Sequence, residues 1–323
     1  MTTNSSSNSS KSGSKLRISV IGGTGFVGRA VVAKLLNDGH QIRLLVRSTS
    51  QHKAFTHPRC TWIAGELNNP ASLQACLDDS DVVIYLVGLL RERPAAGITF
   101  EALHYQGVKN TIAAAQASGV KRFLLMSANG IDAAMTSYQI TKLQAEQALK
   151  DSGLDFTIFR PSVIFGDPHG QGRMEICTQL KAELIDSLLP APLFYSGVLP
   201  VNAGSFELGP VWVDDVAAAF AIACHRTDTI GQTYELCGPA RMTWKQLLTL
   251  IAQAAGKSKL MVPAPAAMIE SVAAVFDRFA WFPVTRDQLR MLLAGNVCGD
   301  DGFQRLGITP TPLTARALTY LRQ

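Results

Sequence analysis

The sequence predicts a doubly wound α/β fold: a parallel sheet with helices on both faces, followed by a smaller and mainly helical region. Three observations carry that expectation. Short apolar runs alternate with segments of helical periodicity from residue 15 to residue 166. The runs are apolar throughout, as strands covered on both faces must be. A glycine-spaced turn, VIGGTGFVGRA over residues 20–30, joins the first run to the first helical segment.

Taken in order, LRISVIGG (16–23) reads as a buried strand ending in glycine. FVGRAVVAKLLNDGH (26–40) is an amphipathic helix that stops at Asn37-Asp38-Gly39. Further strands are expected at 42–47, 60–65 and 81–88, and a long helix over 102–119. RFLLMS (122–127) is the fifth strand, residues 138–151 a helix, and DFTIFRPSVIFG (155–166) a sixth strand. Beyond Gly166 the stretch LLPAPLFYSGVLPVNAGS reads as loop. VWVDDVAAAFAIACH restores a helix, with Asp214 or Asp215 as its cap. TYELCG is a short strand, and Thr243 with Gln246 forms a capping box for a helix reaching residue 255.

This organisation assigns 15–166 to the sheet core, with 206–240 returning to it and 167–205 and 241–323 forming a cap. Residues 1–14 are serine-rich and almost without apolar groups, so they read as a disordered tail. That tail has neither the apolar core of a secretory signal nor the arginines of a transit peptide, so a cytoplasmic location is expected. The chain of 323 residues is 47% hydrophobic and 17% charged, enough for one large domain with a companion. A net charge of +5 without a long basic run argues against a nucleic-acid partner. The six cysteines show no C-x-x-C pair and no metal-ligand spacing, so they read as reduced, mostly buried thiols, and no metal is expected. No apolar stretch of about twenty residues is present to span a bilayer.

Gly22, Gly25 and Gly28 lie between a strand and a helix, the setting in which such spacing holds a dinucleotide pyrophosphate on a helix N-terminus. A preference for NAD requires an acid at the end of the second strand; this strand ends instead in Val46-Arg47-Ser48. Arg47 and the Ser48 hydroxyl suit a 2′-phosphate, so NADP(H) is expected ahead of NAD(H). Ser127 ends the fifth strand at the carboxyl edge, where open α/β sheets bind ligands. Tyr138 and Lys142 stand four apart on one helix face. A lysine ammonium beside the phenol is expected to lower its pKa towards neutrality, with Ser127 bonding the reacting oxygen. Such a set suits hydride transfer at a C–O centre.

With these residues in view, the chain resembles the extended and atypical short-chain dehydrogenases/reductases, Rossmann-type proteins, from about Leu16 to its C-terminus. GGTGFVG, SYQITK, RPSVIFG, VWVDDVA and TYELCGP are similar to that family's landmarks, in its order. VIYLVGLLRE, FRPSVIFG and TRDQLRMLLAGNVC look more narrowly like the branch holding the nucleotide-binding accessory subunit of respiratory complex I and its bacterial relatives. The resemblance implies that backbone around Thr24, Gly25, Phe26 and Val27 lines the pyrophosphate. It sets Arg47 and Ser48 at the 2′-phosphate, Glu66 and Leu67 beside the adenine, and Leu86, Val87 and Gly88 along the ribose. Ser127, Tyr138 and Lys142 match the acid–base set, and Pro161, Ser162, Val163 and Ile164 the strand end over the nicotinamide. Two positions depart from the family: His104 stands near the cofactor where many members have asparagine, and Glu66 replaces an aspartate.

Residues 261–292 are apolar with few charges, and 267–280 carry apolar groups at helical spacing. They read as a helix packed over the cleft, as a hydrophobic lid, or as a surface for a membrane or respiratory complex. Three functions stay open. The first is an NADP(H)-dependent oxidoreductase for an apolar, quinone-like or lipid-like carbonyl or alcohol. The second is a non-catalytic NADP(H)-binding subunit or assembly factor peripheral to the inner membrane. The third, a nucleotide-sugar epimerase or dehydratase, fits less well because residues 190–204 and 261–283 are mostly apolar.

Overall fold

The computed structural model describes residues 14–53, 55–169, 175–276 and 285–322. Its first six strands are β1 (Arg17–Ile21), β2 (Gln41–Val46), β3 (Cys60–Ala64), β4 (Val82–Tyr85), β5 (Arg122–Met126) and β6 (Asp155–Pro161). The next four are β7 (Ile164–Phe165), β8 (Ala191–Tyr195), β9 (Glu207–Leu208) and β10 (Val211–Trp212). Last come β11 (Gln232–Leu236), β12 (Met242–Thr243) and β13 (Met261–Pro265). Seven of them form one parallel sheet in the order β11-β6-β5-β4-β1-β2-β3. Ile18 of β1 stands between Ile42 of β2 and Val82 of β4. The chain winds outward from β1 to β3 and then returns to the other side of β1. That reversal opens a crevice beyond the carboxyl ends of β1 and β4.

The helices sort by face. α1 (Phe26–Asn37) precedes α2 (Pro70–Leu77), α3 (Gly107–Ala117) and α4 (Ser137–Lys150), and the cap begins with α5 (Ile176–Leu180). α6 (Val213–Ala223) packs beside α1, and Val31, Leu35 and Phe220 close over Ile18 and Val20 on that face. On the other face Leu73, Leu77, Ile112 and Leu149 meet Val83, Phe123 and Ile158. The C-terminal region adds α7 (Trp244–Ala254), α8 (Ala266–Phe276), α9 (Arg286–Leu293) and α10 (Gly302–Leu306). It has a core of its own, in which Phe165, Leu208, Trp244, Ile251, Leu289 and Leu318 pack together. The capping box opening α7 is present, with the Thr243 and Gln246 side chains bonding each other's backbone N–H.

Several expectations need correction. α2 occupies a stretch for which no element was expected; Asn69 caps it, its Oδ1 accepting from Ala71 and Ser72 N–H, with Pro70 at the first position. The sixth run breaks after Pro161, and β7 leaves the sheet to pair with β10. Residues 191–195, expected as loop, form β8 in parallel register with β13. Neither Asp214 nor Asp215 caps α6, whose N-cap position is Trp212; both lie in its first turn, where they complement the helix dipole. Asp215 is spent on Thr311, whose backbone N–H donates at 2.6 Å. Phe303 and Leu306, expected in the cap, pack in the α1–α6 core instead, each burial contributing roughly 1.5–3 kcal/mol. Residues 1–13 of the expected tail lie outside the described residues, as do the side chains of 272–284.

The cysteine expectation fails at two positions. Cys60, Cys76, Cys177 and Cys224 are buried free thiols, but Cys237 and Cys298 form a disulfide with Cα atoms 5.8 Å apart. It ties the end of β11 to the segment after α9, across 61 residues of chain. Closing a loop of that length in the unfolded state removes enough entropy to stabilise the fold by about 2–4 kcal/mol. The Cys237→Ser/Cys298→Ser double variant is therefore expected to lose that much unfolding free energy, read as a lower urea midpoint. An unchanged midpoint counts against the bridge in solution.

Candidate functional site

At the carboxyl edge lies one continuous cleft of about 1950 Å³, roughly twice the upper range of a site for a drug-sized ligand. Its first wall is the turn after β1. Gly22 adopts φ +88°, a left-handed conformation that suits glycine, and its carbonyl accepts from Gly25 N–H at 3.1 Å. A Cβ on Gly28 would overlap that same carbonyl, so only glycine lets α1 seat so close to the strand end. α1 opens at Gly25 with no side-chain cap and no acid in its first turn. Its leading N–H groups and positive dipole end thus face the cleft uncompensated, beside Thr24, Phe26 and Val27.

The strands to either side supply the next residues. Arg47 follows β2 into the cleft together with Thr49 and Ser50, whereas Ser48 is not part of the lining. Glu66 and Leu67 line it after β3, held there by Asn110 of α3, whose Nδ2 donates to Leu67 O at 2.9 Å. Leu86, Val87 and Gly88 continue from β4, and Pro161, Ser162, Val163 and Ile164 from β6.

Ser127, Tyr138 and Lys142 all line this cleft. Ser127 follows β5 and is held by its N–H to Phe159 O at 2.7 Å. Its hydroxyl is buried with no hydrogen-bond partner. Among the described residues only Ser118, away from the cleft, shares that state. Leaving a hydroxyl unpaired costs about 1–3 kcal/mol, which a ligand oxygen at Ser127 would recover. α4 presents the other two side chains. Thr136 and Gln139 form its capping box, and Gln139 Nε2 donates to Gly130 O at 2.8 Å, pinning the turn that carries Tyr138. The pattern T-x-x-Q was visible in the sequence.

Burial dominates the electrostatics. It pushes the Tyr138 phenol up to about 12, contrary to the expected lowering by lysine. It also brings the Lys142 ammonium down to about 8, against the opposing pull of Glu146, while Lys142 Nζ donates to Met126 O at 3.0 Å. Glu146 is itself fully buried and taken by Arg160 in a two-pronged pair, both N–H···O distances being 2.8 Å. Arg160 also reaches Asp132 at 2.7 Å, so one guanidinium links β6, α4 and the loop before α4.

His104 stands behind the site. It is buried and outside the cleft lining, stacked on Phe100 and edge-on to Tyr138. Its Nε2 accepts from Leu89 N–H at 3.0 Å, holding the loop after β4. Desolvation, then the Lys142 charge, drives its pKa down to about 2. Sequence reasoning missed Asn129 and Asn296. Asn129 Nδ2 donates to Asn296 Oδ1 at 2.8 Å, and Ser162 Oγ to Asn296 O at 2.8 Å, closing the floor opposite Tyr138. Only long-range packing brings Asn296 there, so no local pattern announces it.

A seven-strand parallel sheet of this order, with a glycine turn at its switch point, defines a Rossmann-type dinucleotide-binding protein. The chain belongs to the NAD(P)H-binding family, whose sequence model matches residues 22–183, half of its length. It is similar to the mitochondrial NADH-ubiquinone oxidoreductase 40 kDa subunit of Neurospora crassa, 25% identical over 94% of this chain and 78% of that protein. It is also similar to a ceramide reductase of Caulobacter vibrioides, 26% identical over 83% of this chain and 79% of the relative. In fold it matches a UDP-glucose 4-epimerase of Thermus thermophilus solved with NAD, at a TM-score of 0.69 and 20% identity, covering 95% of this chain and 98% of that one. No helix among the described residues is long and apolar enough to cross a membrane.

The buried histidine carries a pH dependence. Unfolded, His104 takes up a proton below its ordinary value near 6.5; folded, it stays neutral down to about 2. Protons then favour the unfolded chain, and this contribution to stability is lost as pH falls below about 6.5. From about pH 7.5 to about pH 5.5 the wild type should lose about 1.4 kcal/mol more than His104→Asn, measured by urea denaturation. Equal losses would mean that the imidazole is solvated.

Proposed function

We propose that this protein is an NADP(H)-dependent oxidoreductase acting on the carbonyl or alcohol group of an apolar molecule. The observation that carries the reading is the unpaired Ser127 hydroxyl beside Tyr138 and Lys142, in the same cleft as the phosphate turn. The residues fit the cofactor: Gly25, where a Cβ would meet only the Gly22 carbonyl, leaves the backbone before α1 open to a pyrophosphate, and the α1 N-terminus offers it N–H groups. Arg47 with the Thr49 and Ser50 hydroxyls suits a 2′-phosphate. The bound cofactor supplies the hydride.

The chain's own groups handle the substrate oxygen. Ser127 Oγ donates a hydrogen bond to it and Tyr138 exchanges the proton. Lys142, one helical turn on, stabilises the phenolate that this exchange creates. Burial keeps the Tyr138 phenol protonated at neutral pH, the state in which it can give its proton to a reduced carbonyl oxygen. The far half of the cleft, with Leu180, Leu184, Phe194, Trp244, Ile269 and Met291, suits an apolar body and offers little to a sugar diphosphate.

A second reading has its own support. One relative is a subunit of a mitochondrial NADH-ubiquinone oxidoreductase, which supports a reading in which this chain binds NADP(H) as a non-catalytic subunit or assembly factor. In that case the partner is a respiratory complex at a membrane surface.

Tyr138→Phe separates the two. An oxidoreductase loses at least ~100-fold in turnover with cofactor affinity unchanged. A non-catalytic subunit keeps its cofactor-dependent stability and whatever role it has. For the cofactor, Arg47→Asp should weaken NADPH at least ~10-fold, since a charge-assisted bond is replaced by repulsion, while NADH binding stays as it was. Fluorescence titration with both nucleotides decides it; equal weakening sinks the 2′-phosphate assignment.

A further inference from the structure

Six exposed apolar side chains come from two stretches that the fold sets side by side. Leu188, Leu189, Val198, Leu199 and Val201 flank β8, and Leu260 immediately precedes β13. Leu188 is fully exposed at 103% and Val198 at 93%. Ala191 N–H donates to Leu260 O at 2.9 Å, which joins Leu260 to the end of β8 nearest Leu188 and Leu189. Gly204 N–H donates to Phe194 O at 2.8 Å, folding the segment of Val198 to Val201 back against the other end. Residues 187–206 contain no charged side chain, and 258–269 contain only Lys259. Water alone is a poor neighbour for such a surface.

Two features say what covers it. The margin is cationic: Lys181 and Lys257 share the single carboxylate of Asp186, and Lys259 Nζ donates to Ser187 O. Lys245 stands exposed at the other end, its N–H bonded to Gly204 O, and the nearby acid Glu183 faces the cleft. The ribbon is also a wall of the cleft, because Leu189, Pro190, Pro192 and Phe194 line it. The exposed apolar surface therefore reaches the cleft through Leu189, Pro190, Pro192 and Phe194.

We infer that the β8–β13 surface docks on an anionic lipid bilayer, and that an apolar substrate passes from the bilayer along this wall into the cleft. A protein partner seated there would shut that wall, whereas a bilayer covers the patch and supplies the molecule the cleft accepts. The delivery half rests on the oxidoreductase reading; the docking half does not.

The test is co-sedimentation of the full chain with sucrose-loaded vesicles of mixed phosphatidylcholine and phosphatidylglycerol at low salt. The wild type is expected to sediment with them. Leu188→Ser/Val198→Ser/Leu199→Ser should weaken vesicle affinity at least ~10-fold. Lys257→Gln and Lys259→Gln should each cost about 5-fold, an effect that added salt erases. The thermal shift on adding NADPH, the same in all variants, reports an intact fold. Docking is overturned if the wild type stays in the supernatant, or if the triple serine variant sediments as well as the wild type. A wild-type dimer that the triple variant splits, with no vesicle capture, overturns it too and makes the patch an interface between copies. Turnover of a water-soluble ketone without vesicle binding overturns docking alone; vesicle binding without any turnover overturns the oxidoreductase reading and leaves docking standing.

Discussion

The approach of α1 to the end of β1 is the contact on which the rest of the site depends. Gly28 seats against the Gly22 carbonyl with no room for a side chain between them. Gly22 in turn brings the end of β1 against Leu86 and Val87 after β4. Those two closures fix the helix N-terminus at the switch point of the sheet. The strand ends and loops after β2, β3, β4, β5 and β6 line the cleft beside that corner.

Around Ser127, Tyr138 and Lys142, burial competes with charge and wins. A lysine near a phenol was expected to make the phenol a readier acid, yet the apolar surroundings of Tyr138 hold its proton and depress the Lys142 ammonium as well. What keeps a buried lysine in place is a chain of contacts behind it. Arg160 neutralises Glu146, Glu146 lies one turn from Lys142, and Met126 O receives its Nζ. Removing one partner of the Arg160–Glu146 pair would leave the other with only a weaker contact, Asp132 for Arg160 or Lys150 for Glu146, so that pair is a positioning element of the site. His104 contributes shape and a backbone anchor instead of a titrating group.

The C-terminal region gives the cleft its second character. Its core is separate from those of the sheet, yet α10 returns to the sheet and the Cys237–Cys298 bridge fastens the segment carrying Asn296. One wall is thus polar and built from strand ends, and the facing wall is apolar and built from the β8–β13 ribbon and the helices around it.

Features that close over short distances in the chain were legible in the sequence. The glycine turn, the seven strands of the sheet, the Tyr138–Lys142 spacing and the capping box at Thr243 depend on neighbours within a few turns. Backbone geometry acts directly on those neighbours. The alternating pattern also carried the doubly wound fold, because only a sheet covered on both faces makes every strand apolar. Tertiary structure alone decided the rest. The pairing of β8 with β13, the disulfide, and the arrival of Asn296 beside Asn129 and Ser162 join residues that are far apart in the chain, and no local periodicity encodes such meetings. The protonation of Tyr138, Lys142 and His104 was likewise beyond the sequence, because it is set by how much water the finished packing excludes.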